Sequence, residues 1–118
     1  MLRFARWLRE HHDFPIRVVA YLYPSERITT REGHVASASF FAPFDRSVEP
    51  YIRLPTGDYE KLKKKHGRDD ALATLLCSLA HEVVHYQQWV TTGETYERGV
   101  SRKGAAIVDA YAMSVDHP

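Results

Sequence analysis

Two histidines and a glutamate stand at a spacing that suits metal chemistry, in the pentapeptide His81-Glu82-Val83-Val84-His85. On a helix, positions i and i+4 lie about 40° apart around the axis and about 6 Å apart along it. Both imidazoles can therefore reach one zinc ion, and Glu82 projects beside the open coordination position. Zinc at this point would polarise a peptide carbonyl and lower the pKa of a water molecule, whose proton the glutamate would accept. The spacing predicts one zinc ion with His81 and His85 as ligands and Glu82 as general base.

The segment around the pentapeptide predicts one long helix over residues 69–90. Asp69 and Asp70 follow Gly67 and supply an N-cap and a favourable first-turn charge. Apolar residues recur at spacings of three and four and form one stripe: Leu72, Leu75, Leu76, Leu79, Val83, Tyr86 and Val90. The two histidines fall on a different side of this helix. One face can thus build a core while another presents metal ligands, which argues against the interpretation of these histidines as buried core residues.

The third protein ligand must come from farther along the chain. The extended pattern H-E-x-x-H-x-x-G-x-x-H needs glycine at 88 and histidine at 91, but Gln88 and Thr91 stand there. The motif helix is expected to end near residues 91–93, followed by a polar loop. A second helix is expected to begin with Ser101 as its N-cap. That it returns antiparallel to the first is what the gluzincin arrangement of zinc peptidases implies.

Helix geometry then selects Asp109 as the predicted third ligand. His85 lies about 9 Å before the expected end of the first helix, and Asp109 lies about 12 Å into the second. An antiparallel pair would bring these two levels together, whereas Glu97 falls in the connecting loop and Asp116 nearly two turns too far. Two neutral imidazoles and one carboxylate would leave a fourth zinc position for water.

Two segments resemble small HExxH zinc peptidases of the minigluzincin type. Residues 81–89, H-E-V-V-H-Y-Q-Q-W, resemble the H-E-x-x-H-Y-x-Q segment of those proteins, and residues 109–112, D-A-Y-A, resemble their downstream acidic-Ala segment. This chain has an aspartate where gluzincins use glutamate. The resemblance implies a minimal zincin-like catalytic domain that hydrolyses peptide bonds and binds its peptide along a sheet edge, here residues 35–42. It equally implies an alternative, a poorly active or inactive zinc-binding regulatory module of the same fold.

The whole chain, residues 1–118, predicts one α+β domain. Hydrophobic content of 44% and charged content of 26% are ordinary for a globular protein. An N-terminal helix ending near residue 13 is expected, then strands at residues 15–23, 35–42 and 51–54. A helix at 56–66, the motif helix and the ligand helix follow. The expected fold is thus a helix, a three-stranded mixed sheet and three further helices.

Charge and cysteine content narrow the partners and the compartment. A net charge of +1 argues against nucleic acid or a membrane as partner, and a peptide or protein substrate is the expected one. The basic run at residues 61–68 has no interleaved aromatic residues and is interpreted as a solvated helix face. The single Cys77 allows no internal disulfide, and its expected compartment is the cytoplasm.

Several assignments stay open at the level of the sequence. Tyr96, Arg102 and Tyr111 are unranked candidates to stabilise an oxyanion. His117 follows the ligand helix and is a candidate extra ligand or blocking group. A metal-free structural domain that carries the motif by chance is a further alternative.

Overall fold

The computed structural model describes residues 2–23, 28–29, 35–36, 38–45, 47–57 and 59–114. The helices within these ranges are α1 (Leu2–His11), α2 (Tyr59–His66), α3 (Arg68–Thr92) and α4 (Val100–Ser114). The strands are β1 (Val19–Tyr23), β2 (Ile28–Thr29), β3 (Val35–Ala36), β4 (Ser39–Phe41) and β5 (Tyr51–Pro55). The predicted α+β class with a three-stranded mixed sheet is confirmed.

The three-stranded sheet has the order β1-β5-β4, with β1 parallel and β4 antiparallel to the central strand. The strands β2 and β3 form a separate antiparallel pair. The segment 35–42, predicted as one strand, is thus divided between β3 and β4. The first strand begins at Val19, later than predicted, and the preceding residues 12–18 have no regular structure.

The core lies between one face of the sheet and the helices. Ile52 and Leu54 of β5 point into it, whereas their neighbours Tyr51 and Arg53 point to the opposite face, as the two-residue period of a strand requires. The buried cluster consists of Phe4, Leu8, Ile52, Leu54, Leu76, Leu79, Ala80, Val83, Val108 and Tyr111. This cluster joins α1, β5, α3 and α4 into one hydrophobic core.

Helix α3 runs between two glycines with positive φ. Gly67 (φ 90°) precedes it, and Gly93 (φ 81°, ψ 0°) ends it in the left-handed conformation, which glycine adopts without steric cost. The Gly93 N–H donates to the Trp89 carbonyl at 2.8 Å and so closes the last turn. The predicted apolar stripe faces the core, with Leu75, Leu76 and Val83 buried.

Helix α4 packs antiparallel on α3 through a close contact at Gly104. A Cβ atom at this position would lie 3.2 Å from the backbone nitrogen of His81 and 3.4 Å from its Cα. The Gly99 carbonyl accepts the Lys103 N–H at 3.0 Å, so Gly99 is the N-cap and the helix begins at Val100. The N-cap thus lies two residues before the predicted one at Ser101. Gly104 therefore fixes the register of the two helices at the level of His81.

Among the described residues, no helix combines the length and the apolar character that crossing a membrane requires.

Candidate metal centre

His81, His85 and Glu97 come together beside helix α3. The Nε2 atom of His85 lies 2.8 Å from Glu97 Oε1, and the Nε2 atom of His81 lies 3.2 Å from Glu97 Oε2. The two imidazole rings are 5.0 Å apart and nearly perpendicular. One potential ligand atom from each of the three residues falls within 4.8 Å of the others, so that the group could hold a metal ion.

Gln88 determines which nitrogen of His85 carries a proton. The Gln88 Oε1 atom accepts the backbone N–H of Tyr96 at 3.0 Å, and the same oxygen lies 3.0 Å from His85 Nδ1. An oxygen that faces Nδ1 can only accept, so Nδ1 is the donor of this contact. In neutral His85 the lone pair is therefore on Nε2, the atom that faces Glu97 and can bind a metal.

The short distances from Glu97 to the two imidazoles are favourable when a proton or a metal cation lies between the facing atoms. A carboxylate oxygen at 2.8 Å from an unprotonated nitrogen would set two lone pairs against each other. A proton on Nε2 or a metal cation shared by the groups removes this repulsion. These three residues could therefore hold a metal ion.

Glu82 is buried beside this group, with 7% of its surface exposed. Its pKa is raised to about 7, first because burial penalises the charged carboxylate and further because of the negative charge of Glu97; His85 acts in the opposite direction. The charge of Glu82 therefore responds to both neighbours. A carboxyl group with a pKa near neutral pH is well suited to accept and release a proton.

The three cluster residues differ in their access to solvent. The His85 side chain is 9% exposed, while the Glu97 side chain is 75% exposed. The Nδ1 atom of His81 lies 3.5 Å from the Ser101 hydroxyl at the start of α4. The cluster is therefore anchored in the protein on the His85 side and opens to solvent on the Glu97 side.

The loop 93–99 carries Glu97 back along α3. It starts from the left-handed turn at Gly93 and is attached to α3 by the bond from the Tyr96 N–H to Gln88. The Thr92 hydroxyl accepts the Glu94 N–H at 3.1 Å and so holds the first residues of the loop. Gly99, the N-cap of α4, lies near the level of His85. The loop therefore runs beside α3 and places Glu97 next to the histidines.

The structure does not bring Asp109 to the histidines. Gly104 of α4 lies beside His81, and from this point α4 runs toward the N-terminal end of α3. Asp109 is therefore about 13 Å from His85, measured along the helix axis. Asp109 is exposed, and its charge acts on Cys77, whose pKa is raised first by burial and then by this carboxylate. The selection of Asp109 assumes that α4 starts beside the end of α3. In the structure the loop runs back along α3, so α4 starts about two turns earlier on α3, near His85.

The other predicted site residues are divided by the fold. Tyr111 is buried against Phe4, with ring centres 5.0 Å apart, so its side chain belongs to the core and not to the candidate centre. Tyr96 adjoins Glu97 in the loop, and Arg102 is exposed in the first turn of α4. His117 lies outside the described residues.

Comparison with known proteins does not assign the chain to a family. No protein-family model matches it, and no curated protein or solved structure matches it.

Proposed function

We propose that the protein is a zinc-dependent peptidase in which His81, His85 and Glu97 bind one zinc ion and Glu82 is the general base. The observation that carries this proposal is the convergence of two Nε2 atoms and a carboxylate within 4.8 Å, with Glu82 buried beside them on the same helix. The third ligand is thus Glu97 in place of Asp109, which gives the residue type that the resemblance to gluzincins implies.

The donor set fits zinc in a catalytic form. Two neutral imidazoles and one carboxylate are a ligand set of zinc enzymes that keep the fourth position open. The proton on His85 Nδ1, donated to Gln88, leaves Nε2 free to bind and fixes the orientation of the ring. The exposed side of Glu97 leaves the centre accessible to a substrate from solvent.

Each of these residues has a separate task in peptide hydrolysis. A bound zinc ion supplies Lewis acidity, which lowers the pKa of a water molecule and polarises a peptide carbonyl. A carboxylate oxygen of Glu82 accepts the proton of the attacking water, and the same group then donates a proton to the departing amine. Burial of Glu82 favours this second role, because it stabilises the protonated form between the two transfers.

The substrate is proposed to bind in extended form along β4. Within the described residues β4 pairs only with β5, so its other edge is available for a peptide strand. Phe40 of β4 packs on Tyr86 and Trp89, at ring distances of 6.1 Å each, so this edge adjoins the turn of α3 that follows His85. The neighbouring Ala38 and Ser39 have small side chains that permit close approach.

A zinc stoichiometry combined with a peptide-library digest tests the proposal. Protein purified without a histidine tag is expected to contain one zinc per chain and to cleave peptides, and a chelator should stop the cleavage. One zinc without any cleavage would contradict the peptidase and favour a zinc-binding regulatory module. Absence of zinc binding would contradict both the peptidase and the regulatory module, and would favour a metal-free structural domain.

A further inference from the structure

Strand β1 forms an edge of the sheet that carries no charged residue. Its sequence is V-A-Y-L-Y, and within the described residues β5 is the strand that pairs with it. Its apolar side chains are open to solvent: Tyr21 is 49%, Leu22 54% and Tyr23 37% exposed. Monomeric proteins usually protect such edges with charges, prolines or bulges. This edge has the composition of a strand that pairs with another chain.

Within the described part of the chain, the backbone groups of Ala20 and Leu22 have no strand opposite them. The Tyr23 carbonyl accepts the Thr56 N–H at 2.7 Å, so Tyr23 directs its backbone groups toward β5. Backbone direction alternates along a strand, and Tyr21 therefore also faces β5. Ala20 and Leu22 direct their N–H and carbonyl groups away from β5, to the open edge.

The side chains of β1 divide between the two faces of the sheet. Ala20 and Leu22 are in register with Ile52 and Leu54, so they lie on the core side. Tyr21 lies on the opposite side, where its ring is 5.9 Å from that of Tyr51. Leu22 is therefore an exposed leucine on the side of the sheet that elsewhere forms the core.

An open, mostly apolar groove of about 690 Å³, with Arg9 and Arg17 also in its lining, lies on this core side next to β1. Ile52, Leu79 and Val83 contribute to its lining from β5 and α3, and Leu8 contributes from α1. Ala20 is also part of the lining, so the groove reaches the edge strand. Helices α1 and α3 thus leave part of the core side of β1 uncovered.

We propose that a second copy of this chain binds here, with the two β1 strands antiparallel and the twofold axis at Tyr21. Ala20 of one copy then exchanges backbone hydrogen bonds with Leu22 of the second copy, and the reverse pair does the same. Leu22 of the second copy faces the groove beside Ala20, and the two Tyr21 rings meet on the opposite face. The two sheets become one continuous sheet.

A second copy accounts for these features better than an unrelated strand does. A twofold interface uses the same surface of both chains, so each contact is made twice. The edge at β1 supplies both halves of such a contact. It presents the backbone groups of Ala20 and Leu22 and the Leu22 side chain, and it adjoins the groove that would receive Leu22 of the second copy. With a net charge of only +1, two chains approach without strong repulsion.

The first test is the mass of the protein in solution over a wide range of concentrations, measured by light scattering and sedimentation. The wild type is expected to be a dimer that dissociates on dilution. Leu22→Lys should weaken the dimer by about 30-fold or more, because it places a charge in the groove. Met113→Lys, at a residue that is 89% exposed on α4, is the matched control and should leave the dimer intact. Circular dichroism should show the same helix content in both variants.

The second test is a cross-link that depends on the register. In a Cys77→Ser background, Tyr21→Cys should form an intermolecular disulfide, because directly opposed residues of this kind have Cα atoms about 4.5 Å apart. Met113→Cys should not. A wild type that is monomeric at every concentration, equal effects of the two lysine substitutions, or no cross-link at residue 21 would each overturn the proposal. Zinc content is measured separately, so these outcomes do not depend on the metal centre.

Discussion

The candidate metal centre is built from two regions of different character. Helix α3 contributes His81 and His85, and the His85 side chain is 9% exposed and held by a hydrogen bond to Gln88. The loop 93–99 contributes Glu97, whose side chain is 75% exposed. Positions on a helix are set by its backbone and by core packing, whereas a loop position depends on a few hydrogen bonds. Changes in α3 should therefore affect chemistry and ligand orientation, and changes in the loop should mainly affect metal occupancy.

The largest expected effect is the loss of hydrolysis in Glu82→Gln. The amide cannot accept the proton of the attacking water, so kcat should fall by about 10²–10⁴-fold. Zinc content should be unchanged, because this side chain is not a ligand. The measurement is the rate of peptide cleavage beside the zinc stoichiometry, with Glu94→Gln in the loop as a control that keeps activity. A variant that retains half the activity, or that loses zinc as His81→Ala does, would contradict the assignment.

The stability of the metal-free protein should depend on pH through Glu82. Its pKa is about 7 in the folded chain and near 4.5 when unperturbed, so the folded state binds this proton more tightly. The stabilisation of the folded state by protonated Glu82 is fully present below pH 4.5 and is lost as the pH rises through 7. It amounts to at most about 3 kcal/mol of unfolding free energy.

Urea unfolding of chelator-treated wild type and Glu82→Gln over this pH range gives the measurement. The difference between the two proteins should fall toward higher pH, because the glutamine does not titrate. A difference that is constant with pH would contradict the raised pKa.

Replacing Gln88 with leucine should weaken zinc binding without removing a ligand. The substitution deletes the acceptor that orients His85 and also the link to the Tyr96 N–H, so it affects both regions of the centre. Loss of such a partner typically lowers metal affinity by about 10–100-fold. Competition with a chromophoric chelator measures the affinity, and Gln87→Leu is the matched control. Equal affinities of the two variants would show that Gln88 does not orient the ligand.

The smallest effect is expected from Gly104→Val, which tests the helix register. The added side chain meets the backbone of His81, where even a Cβ would lie at 3.2 Å, so overpacking should lower stability by about 1–3 kcal/mol. Zinc affinity should also fall, because α4 and the loop move relative to the histidines. Ala105→Val, at an exposed position of the same helix, controls for the helix propensity of valine. The register would be in doubt if both variants unfolded at the same urea concentration.

The sequence predicted those parts of the centre that depend on local geometry. The repeat of Leu75, Leu79 and Val83 indicated a helix with a buried face, and the spacing of His81 and His85 followed from the helical period. The buried face of α3 is predicted for the same reason. These features need only the chain within one or two helical turns.

The position of Glu97 beside the histidines could not be predicted in this way, because it depends on the path of a loop. Helix lengths alone favour Asp109 as the third ligand and place Glu97 in a connecting loop. The relevant signals were Gly93 and Gly99, which can adopt positive φ at both ends of the connection, and Gly104, which permits close packing at His81. The position of α4 along α3 depends on tertiary packing, and the hydrophobic periodicity of the sequence does not predict it.

The most direct test of the account is a zinc titration of Glu97→Ala and Asp109→Ala, side by side with the wild type. The structure predicts that Glu97→Ala loses most of its zinc affinity, because the carboxylate beside both Nε2 atoms is removed, while Asp109→Ala binds zinc like the wild type. Circular dichroism of both variants should match the wild type, since both side chains are exposed. Loss of zinc in Asp109→Ala with full binding in Glu97→Ala would contradict the proposed centre.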